Sequence, residues 1–249
     1  MLPDREVAAV LKKFGPEIEA YLKSQRFFDI AGPYTATDLL NPRAMAAYRK
    51  ASLAKNREVW SVLEKWLFPE MVDFGTAFIV AYGLIKPPNV REIATDYMGA
   101  RGGFLIKRMT ATDQKRLTAF IWQNSMKNER PLARQILKEP NLVSIVAGHR
   151  PETIIRTERG RAIRSGARII SLEAGAKSRI RREVGDHRTR PSHRKIMGEE
   201  VPMDRPYSNG EMYPGEVDIN CRGWEEFNFS PKVADHPHPS MAKLQELYG

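Results

Sequence analysis

The chain has 249 residues, of which 42% are hydrophobic and 28% charged. Such a composition can supply a buried core and argues against an intrinsically disordered protein. The formal net charge of +10 is compatible with a polyanionic partner without requiring one, and the single cysteine, Cys221, excludes an intrachain disulfide and fits a reducing compartment.

Neither a signal peptide nor a membrane span is expected. The N-terminal sequence MLPDREVAAVLKK carries acids and lacks the long apolar run of a signal peptide. The most apolar window, residues 66–85, contains Pro69, Glu70 and Asp73. A buried pair of helices therefore explains this window better than a membrane-spanning helix.

The first part of the chain has the apolar spacing of helices. The predicted segments are residues 3–28 with a break at Gly15-Pro16, a linker over 28–34, a helix capped by Thr37 or Asn41 that reaches about residue 68, and an apolar segment over 71–85. Pro87-Pro88 should end that segment, because proline cannot continue a helix.

Residues 89–148 are expected to form several shorter helices. Asn89 should cap the first, which three glycines at 99, 102 and 103 should interrupt. New helices are expected from Thr112 and from Pro131, and residues 141–147 are compatible with either a helix or a strand. We find no chemical motif in residues 1–148.

The longest continuous helical pattern runs from Arg150 to about Val184. Ile155, Ala162 and Ile169 lie seven residues apart and define an apolar stripe. Three arginines are predicted on the opposite side: Arg161, Arg164 and Arg168. This helix is the centre of a basic stretch, since residues 149–198 hold 14 basic and 5 acidic side chains, whereas residues 199–249 hold 4 basic and 10 acidic.

Glu158 falls within the apolar stripe of that helix. A carboxylate that faces a core must be paired or protonated, because an unpaired buried charge costs several kcal/mol. We therefore predict a buried pair between Glu158 and a downstream residue, with these candidates: Arg188, Arg190, His193 and Arg222. The alternative is that Glu158 lies at the edge of the stripe and reaches solvent.

After Gly185 the sequence changes to turn residues and short alternating runs, which are typical of short strands and ordered loops. The predicted fold class is α+β, with a mainly helical N-terminal region followed by a small α+β module that contains a long basic helix. The predicted division is residues 1–148, a module over 149–225, and a short tail over 226–249.

Two kinds of chemistry are weighed for the module. Asp186, His187, His193 and Cys221 could suggest a metal site or a hydrolase, but the spacing lacks paired Cys-x-x-Cys or His-x-x-x-His ligands and a nucleophile motif. We therefore expect no catalytic residue, metal or cofactor, and His193 is expected to hold loops together.

The basic residues could instead bind DNA phosphates in a salt-dependent way. The candidates for DNA contact are Arg161, Arg164, Arg168, Arg179, Arg181 and Arg182. The equally weighted alternative is that these arginines pair with the acidic segment that follows, at residues 199–226. A single-strand stacking platform is not expected, because no aromatic residue interrupts the basic run.

Several short motifs follow one another between residues 150 and 224. Ile155-Arg156-Thr157-Glu158 opens the helix, and the later pieces are Asp186-x-Arg188-x-Arg190-x-x-His193, Gly198, Val201, Tyr213-Pro-Gly-Glu216 and Asn220-Cys221-Arg222. In this order and spacing they resemble the phage Mu F-like minor head proteins, also called phage head morphogenesis proteins. The resemblance implies that the structural core of the module includes Arg156, Glu158, Asp186, Arg188, Arg190, His193, Gly198, Asn220, Cys221 and Arg222.

The resemblance implies a structural virion component rather than an enzyme. Its expected partners are the portal protein, the major capsid or scaffold protein and packaged double-stranded DNA, with no membrane. It would lie inside the head or at the portal vertex after assembly in the host cytoplasm, and would act in assembly, packaging or ejection. The family pattern commonly ends Asn-Cys-Arg-Cys, but Gly223 stands at the position of the second cysteine here, which weakens the case for a structural metal.

Overall fold

A computed structural model describes residues 5–12, 42–127, 151–231, 233 and 239–248. The helices are α1 (residues 5–12), α2 (Pro42–Tyr82), α3 (Val90–Lys127), α4 (Pro151–Glu173), α5 (Pro191–Lys195) and α6 (Met241–Tyr248), and the strands are β1 (Ser178–Arg182), β2 (Glu200–Pro202) and β3 (Trp224–Asn228). The predictions for residues 13–41 and 128–150 lie outside the described residues. The chain is mainly helical with a small antiparallel sheet, so the predicted α+β fold class is confirmed.

The chain divides into two compact units. Residues 1–64 and 100–151 form the first unit, and residues 65–99 and 152–249 form the second. The division predicted from the sequence had placed residues 65–99 with the N-terminal region, whereas they cluster with the predicted module. The predicted module end at residue 225 lies inside β3, because Trp224–Asn228 is one continuous strand.

Helix α2 continues through Pro69, where the sequence predicted a break between two segments. Proline removes one backbone hydrogen bond, which normally kinks or ends a helix. On both sides of it, however, the apolar residues Leu63, Leu67, Met71 and Phe74 are buried at helical spacing. Burial of one continuous apolar face offsets the loss of that bond, so the prediction of two segments is wrong.

Helix α3 likewise runs without interruption through the three glycines and Thr112. A Cβ atom at Gly102 would lie 2.5 Å from Nε1 of Trp60, so this glycine allows close packing rather than ending the helix. The predicted start at Thr112 is also wrong. The cap at Asn89 is confirmed, since the Glu92 N–H donates to its Oδ1 at 3.3 Å.

A buried polar cluster joins α2 and α3 in the first unit. Lys55 Nζ lies 2.6 Å from Asp113 Oδ2, and both side chains are fully buried. Ser52 Oγ and Asn56 Nδ2 donate to the same oxygen at 2.5 and 3.1 Å. Asp113, expected near a helix start, therefore serves inside the helix as the shared acceptor of this cluster.

Helix α4 ends at Glu173 rather than near Val184, because the next residues form a Schellman motif. The Gly175 N–H donates to the Leu172 carbonyl at 3.0 Å and the Ala176 N–H to the Ser171 carbonyl at 2.8 Å. Gly175 has a φ of 85°, which glycine adopts without strain. The chain then reverses into β1, so the prediction of a helix to Val184 is wrong.

The sheet of the second unit has the strand order β2-β1-β3, with both pairs antiparallel. Phe227 of β3 is fully buried, its N–H donates to the Tyr82 hydroxyl at 3.1 Å, and its ring centroid lies 5.7 Å from that of Phe78. Tyr248 of α6 stacks on Trp224 with a centroid distance of 6.5 Å. The described residues of the segment expected to form a tail, such as Phe227 and Tyr248, are therefore part of the packed unit.

Candidate functional site

The resembling motifs meet around the loop that precedes β3. Asn220 has a φ of 55°, and its N–H donates to Thr157 Oγ1 of α4 at 3.2 Å. Asparagine tolerates this left-handed conformation better than most residues. Arg156, the neighbour of Thr157, and Asn220 itself are exposed, so the prediction that these two residues lie in the core is wrong.

Glu158 is 2% exposed, which confirms that it lies in the core of the second unit. The predicted partner is wrong, because its Oε1 lies 2.7 Å from Arg161 Nη1 of the same helix. The i,i+3 spacing places the two side chains together. Arg161 extends further, and its Nε donates to the carbonyl of Gly215 at 2.8 Å. The helix supplies its own counter-ion, which then binds the loop.

Arg164 forms a second clamp between α4 and the same loops. Its Nε donates to the Pro214 carbonyl and its Nη2 to the Cys221 carbonyl, each at 2.8 Å. Burial lowers the pKa of Arg164, and these carbonyls supply partners that water would supply at the surface. The helical stripe predicts Arg161 and Arg164 on the face opposite the core. Both side chains are instead buried, so that prediction is wrong.

Arg181 of β1 is the centre of a polar network that is buried except for the partly exposed Asp218. We call it the Arg181 network: Arg181, Glu183, His193, Glu211, Asp218 and Cys221. The Arg181 side chain is fully buried. Its Nε donates to Glu183 Oε1 at 2.7 Å and its Nη1 to Glu211 Oε2 at 3.1 Å. Although burial opposes the charged form, the two carboxylates raise the pKa of Arg181 above its usual value.

His193 links this network to the loop after Glu216. Its Nε2 lies 2.6 Å from Asp218 Oδ2, and its Nδ1 lies 3.3 Å from Arg181 Nη2. Nδ1 also lies 3.4 Å from Glu183 Oε1, so both ring nitrogens face charged groups of the network. The prediction that His193 holds loops together is consistent with these contacts.

Within the part of the chain that the structure describes, two groups of side chains have ligand atoms close enough to hold a metal: Glu183, His193 and Cys221 in one, and His193, Glu211 and Asp218 in the other. His187 belongs to neither and is exposed. In both groups the Arg181 guanidinium already contacts ligand atoms, at 2.7 Å from Glu183, 3.1 Å from Glu211 and 3.8 Å from Cys221 Sγ. A metal cation does not fit beside this guanidinium unless Arg181 moves.

A thiol nucleophile is the other chemistry that this set of residues suggests. Cys221 Sγ lies 3.8 Å from His193 Nδ1, and Asp218 holds the other ring nitrogen. Cys221 is 7% exposed, however, and Arg181 Nη2 lies 3.8 Å from the sulfur. A substrate would have to displace this packing to reach the thiol, so the geometry favours a structural role.

Gly223 lies against the Glu183 carboxylate, where a residue with a side chain would not fit. A Cβ atom at residue 223 would lie 2.4 Å from Glu183 Oε1 and 3.0 Å from the Arg182 carbonyl. The glycine thus leaves room for the carboxylate that neutralises Arg181.

Arg179, two residues before Arg181 on β1, forms a second buried ion pair. Its Nε lies 2.8 Å from Glu225 Oε1, and its guanidinium carbon lies 4.9 Å from the centre of the Tyr207 ring. The Tyr207 hydroxyl donates to the same carboxylate at 2.8 Å. Burial raises the pKa of Glu225 to about 7, against the effect of Arg179.

Most of the predicted DNA contacts are therefore not available to DNA. Four of those arginines are 7% exposed or less: Arg161, Arg164, Arg179 and Arg181. For these the prediction of a DNA-facing surface is wrong, because carboxylates and carbonyls occupy their donors. Arg168 and Arg182 are partly exposed, and they already bond the Met203 carbonyl at 2.8 Å and Glu226 Oε2 at 2.7 Å.

Arg188 and Arg190, which are predicted in the core, are exposed instead, so that prediction is wrong. Their side chains are 70% and 42% exposed. Gly198 is a turn residue with a φ of 85°, and its N–H donates to the Arg181 carbonyl at 2.8 Å. The alternative prediction, that arginines of the basic stretch pair with the acidic segment 199–226, holds on β1: Arg179 pairs with Glu225, Arg181 with Glu211 and Arg182 with Glu226. Sequence reasoning missed Glu183, which lies outside that segment and also pairs with Arg181.

Asp186 and Arg222, both predicted in the core, form a partly exposed bidentate pair. Arg222 Nη1 donates to Asp186 Oδ2 at 2.8 Å, and Nη2 donates to Oδ1. The backbone N–H of Arg188 donates to Asp186 Oδ1 at 3.0 Å. Hydrogen bonding by Arg222 is the main reason that the pKa of Asp186 lies well below its usual range.

A lowered pKa makes the contribution of Asp186 to stability dependent on pH. The contribution is complete above the ordinary value of 3.8 and is lost as the pH falls towards the folded-state pKa. Asp186→Asn is expected to lower Tm at pH 7, and the deficit should shrink at pH 3. Thermal unfolding by circular dichroism at both pH values tests this, with the exposed Asp204→Asn as control. A deficit of equal size at both pH values would contradict it.

Comparisons with known proteins add no identification: no protein-family model, curated protein or solved structure matches the chain. Among the described residues, none of the helices is both long enough and apolar enough to cross a membrane.

Proposed function

We propose that this chain is a phage minor head protein of the Mu F-like kind, a structural virion component that associates with the portal during head assembly. The observation that carries the proposal is the convergence of the resembling motifs. Pieces that lie far apart in the sequence, from Thr157 through His193 to Arg222, make contacts within one unit. These contacts tie the motif pieces into one folded unit, and this supports the proposal.

The chemistry of the Arg181 network supports a structural rather than an enzymatic role. Its charged groups bond one another or the His193 ring, and Cys221 and His193 are buried. Buried charges of this kind specify one arrangement of loops rather than expose a reactive group. The network therefore suits a rigid module that must persist inside a particle.

The expected partners are the portal protein and the major capsid or scaffold protein, with packaged double-stranded DNA nearby. The first unit offers a candidate surface for a protein partner, because Phe104 and Trp122 are 51% and 49% exposed on α3. Large exposed aromatic side chains are common at protein interfaces. The proposed location is the inside of the head or the portal vertex, after assembly in the host cytoplasm.

The test is co-expression of the chain with the portal and capsid proteins of the same phage, followed by purification of procapsids. The chain should co-sediment with procapsids that contain portal, survive nuclease treatment, and be present at a defined number of copies per portal by quantitative mass spectrometry. Particles assembled without portal are the control. Equal incorporation with and without portal, or complete release by nuclease, would contradict the proposal.

A second candidate function is sequence-independent DNA binding without portal contact. The net charge of +10 favours it, together with the exposed arginines Arg188 and Arg190. The two functions differ in the nuclease step above, because a protein held in particles only by DNA should be released when DNA is digested.

A further inference from the structure

Residues 187–195 display a row of cations in solvent, and we call this segment the 187–195 surface. The Arg188 side chain is 70% exposed and the Arg190 side chain 42% exposed. His187, Arg194 and Lys195 are also exposed. These side chains are not the arginines of α4 and β1, whose charges are buried.

The backbone beneath this surface is held in place. The Thr189 N–H donates to the Asp186 carbonyl at 3.0 Å, and Arg222 holds the Asp186 side chain. At the other end, His193 is buried, and its ring nitrogen lies 2.6 Å from Asp218. Arg194 Nη2 donates to the Asp186 carbonyl at 2.7 Å. The exposed cations therefore project from a fixed frame, which reduces the entropy lost when they bind.

The positive charge of this surface is not neutralised within the chain to the same degree as that of Arg181. Asp186 is engaged by Arg222 and lies 3.7 Å from the Nε of Arg188, which is mostly exposed. Asp218 is shared between His193 and Arg190, at 2.6 and 3.6 Å. Long, exposed ion pairs contribute little, so the cations keep most of their attraction for an external anion.

We propose that the 187–195 surface binds the phosphate backbone of double-stranded DNA without reading its sequence. The segment contains no Phe, Tyr or Trp on which unpaired bases could stack and no large apolar side chain around which a protein interface could form. Arginine and lysine tips on a fixed frame suit the regularly spaced phosphates of a duplex. This inference rests on the proposed function, because packaged DNA is the polyanion that such a protein would meet.

The experiment uses the full chain and a 30-base-pair duplex of arbitrary sequence, with affinity measured by fluorescence anisotropy over a range of salt concentrations. The test variant combines Arg188→Gln, Arg190→Gln, Arg194→Gln and Lys195→Gln. The matched control removes four exposed cations elsewhere in the same unit: Lys86→Gln, Lys177→Gln, Arg205→Gln and Lys243→Gln. A reduced variant, Arg188→Gln with Lys195→Gln, serves in case the larger variant is unstable. It keeps Arg190 and Arg194, which donate to the carbonyls of Ile219 and Asp186 at 2.8 and 2.7 Å.

The test variant is expected to bind at least tenfold more weakly near 0.1 M salt, because each lost phosphate contact removes roughly 0.9 from the slope of log K against log salt. The affinity of the control should change by less than about threefold and its slope should be kept, since its four charges do not belong to the 187–195 surface. The reduced variant should show an intermediate loss. Circular dichroism confirms that each variant is folded.

An equal loss of duplex affinity in the test and control variants would overturn the proposal, because it would show that DNA binding depends only on the net charge. Failure of the wild type to bind the duplex, combined with binding to poly-glutamate, would also overturn it and assign the surface to an acidic protein. The two proposals can fail separately. If the expected DNA binding is not found but the chain associates with portal, only this inference is rejected. If the chain binds DNA but does not associate with portal, the head-protein function is rejected.

Discussion

Replacing Arg181 with methionine is expected to lower the free energy of unfolding by about 3–5 kcal/mol, the usual cost of removing one partner from a buried ion pair. Methionine fills much of the same space but leaves Glu183 and Glu211, each 3% exposed in its side chain, without their shared cation. His193 also loses the donor to its Nδ1. Urea unfolding at pH 7, followed by circular dichroism, measures the loss.

The matched control is Arg188→Met, which removes an arginine whose side chain is 70% exposed. Its effect should be within about 0.5 kcal/mol, because a surface ion pair contributes little. Similar losses for both variants would contradict the role assigned to the Arg181 network.

The fold class was predictable because it depends on apolar spacing, which is a local property of the sequence. The lengths of the helices were not, since they depend on distant packing. Pro69 and Gly102 are breakers by their own chemistry, yet burial of the apolar face of α2 and the approach of Trp60 keep both helices continuous. The end of α4 at Gly175 was overlooked although its signal, a glycine after an apolar run, is local.

The sequence motifs identified residues of the candidate site, but the sequence did not predict correctly which of them are exposed. Helical spacing placed Glu158 correctly in the core, because this acid shares one helix face with Ile155 and Ala162. The same helical spacing put Arg161, Arg164 and Arg168 on the opposite face, and it failed for the first two, which are 3% and 7% exposed. Their burial depends on carbonyls of the distant loop at residues 214, 215 and 221, and such contacts are not visible in local spacing.

The Glu158–Arg161 pair decides how α4 holds the loop before β3, and Glu158→Ala is expected to lower the free energy of unfolding by about 3 kcal/mol. Removing the carboxylate leaves the Arg161 guanidinium, 3% exposed, with only backbone carbonyls as partners in this part of the unit. The carbonyl of Gly215 at 2.8 Å offsets part of the cost, which places the loss at the lower end for a buried pair. Thermal and urea unfolding measure it.

The control for this pair is Glu173→Ala, which removes an exposed carboxylate from the last turn of the same helix. It should change stability by no more than about 0.5 kcal/mol. The stability loss of Glu158→Gln should lie between those of Glu158→Ala and Glu173→Ala, because the amide keeps an acceptor for Arg161 but not the charge. A loss for Glu158→Ala no larger than that for Glu173→Ala would mean that the pair does not anchor the loop, and the motif convergence on which the head-protein proposal depends would lose its energetic basis.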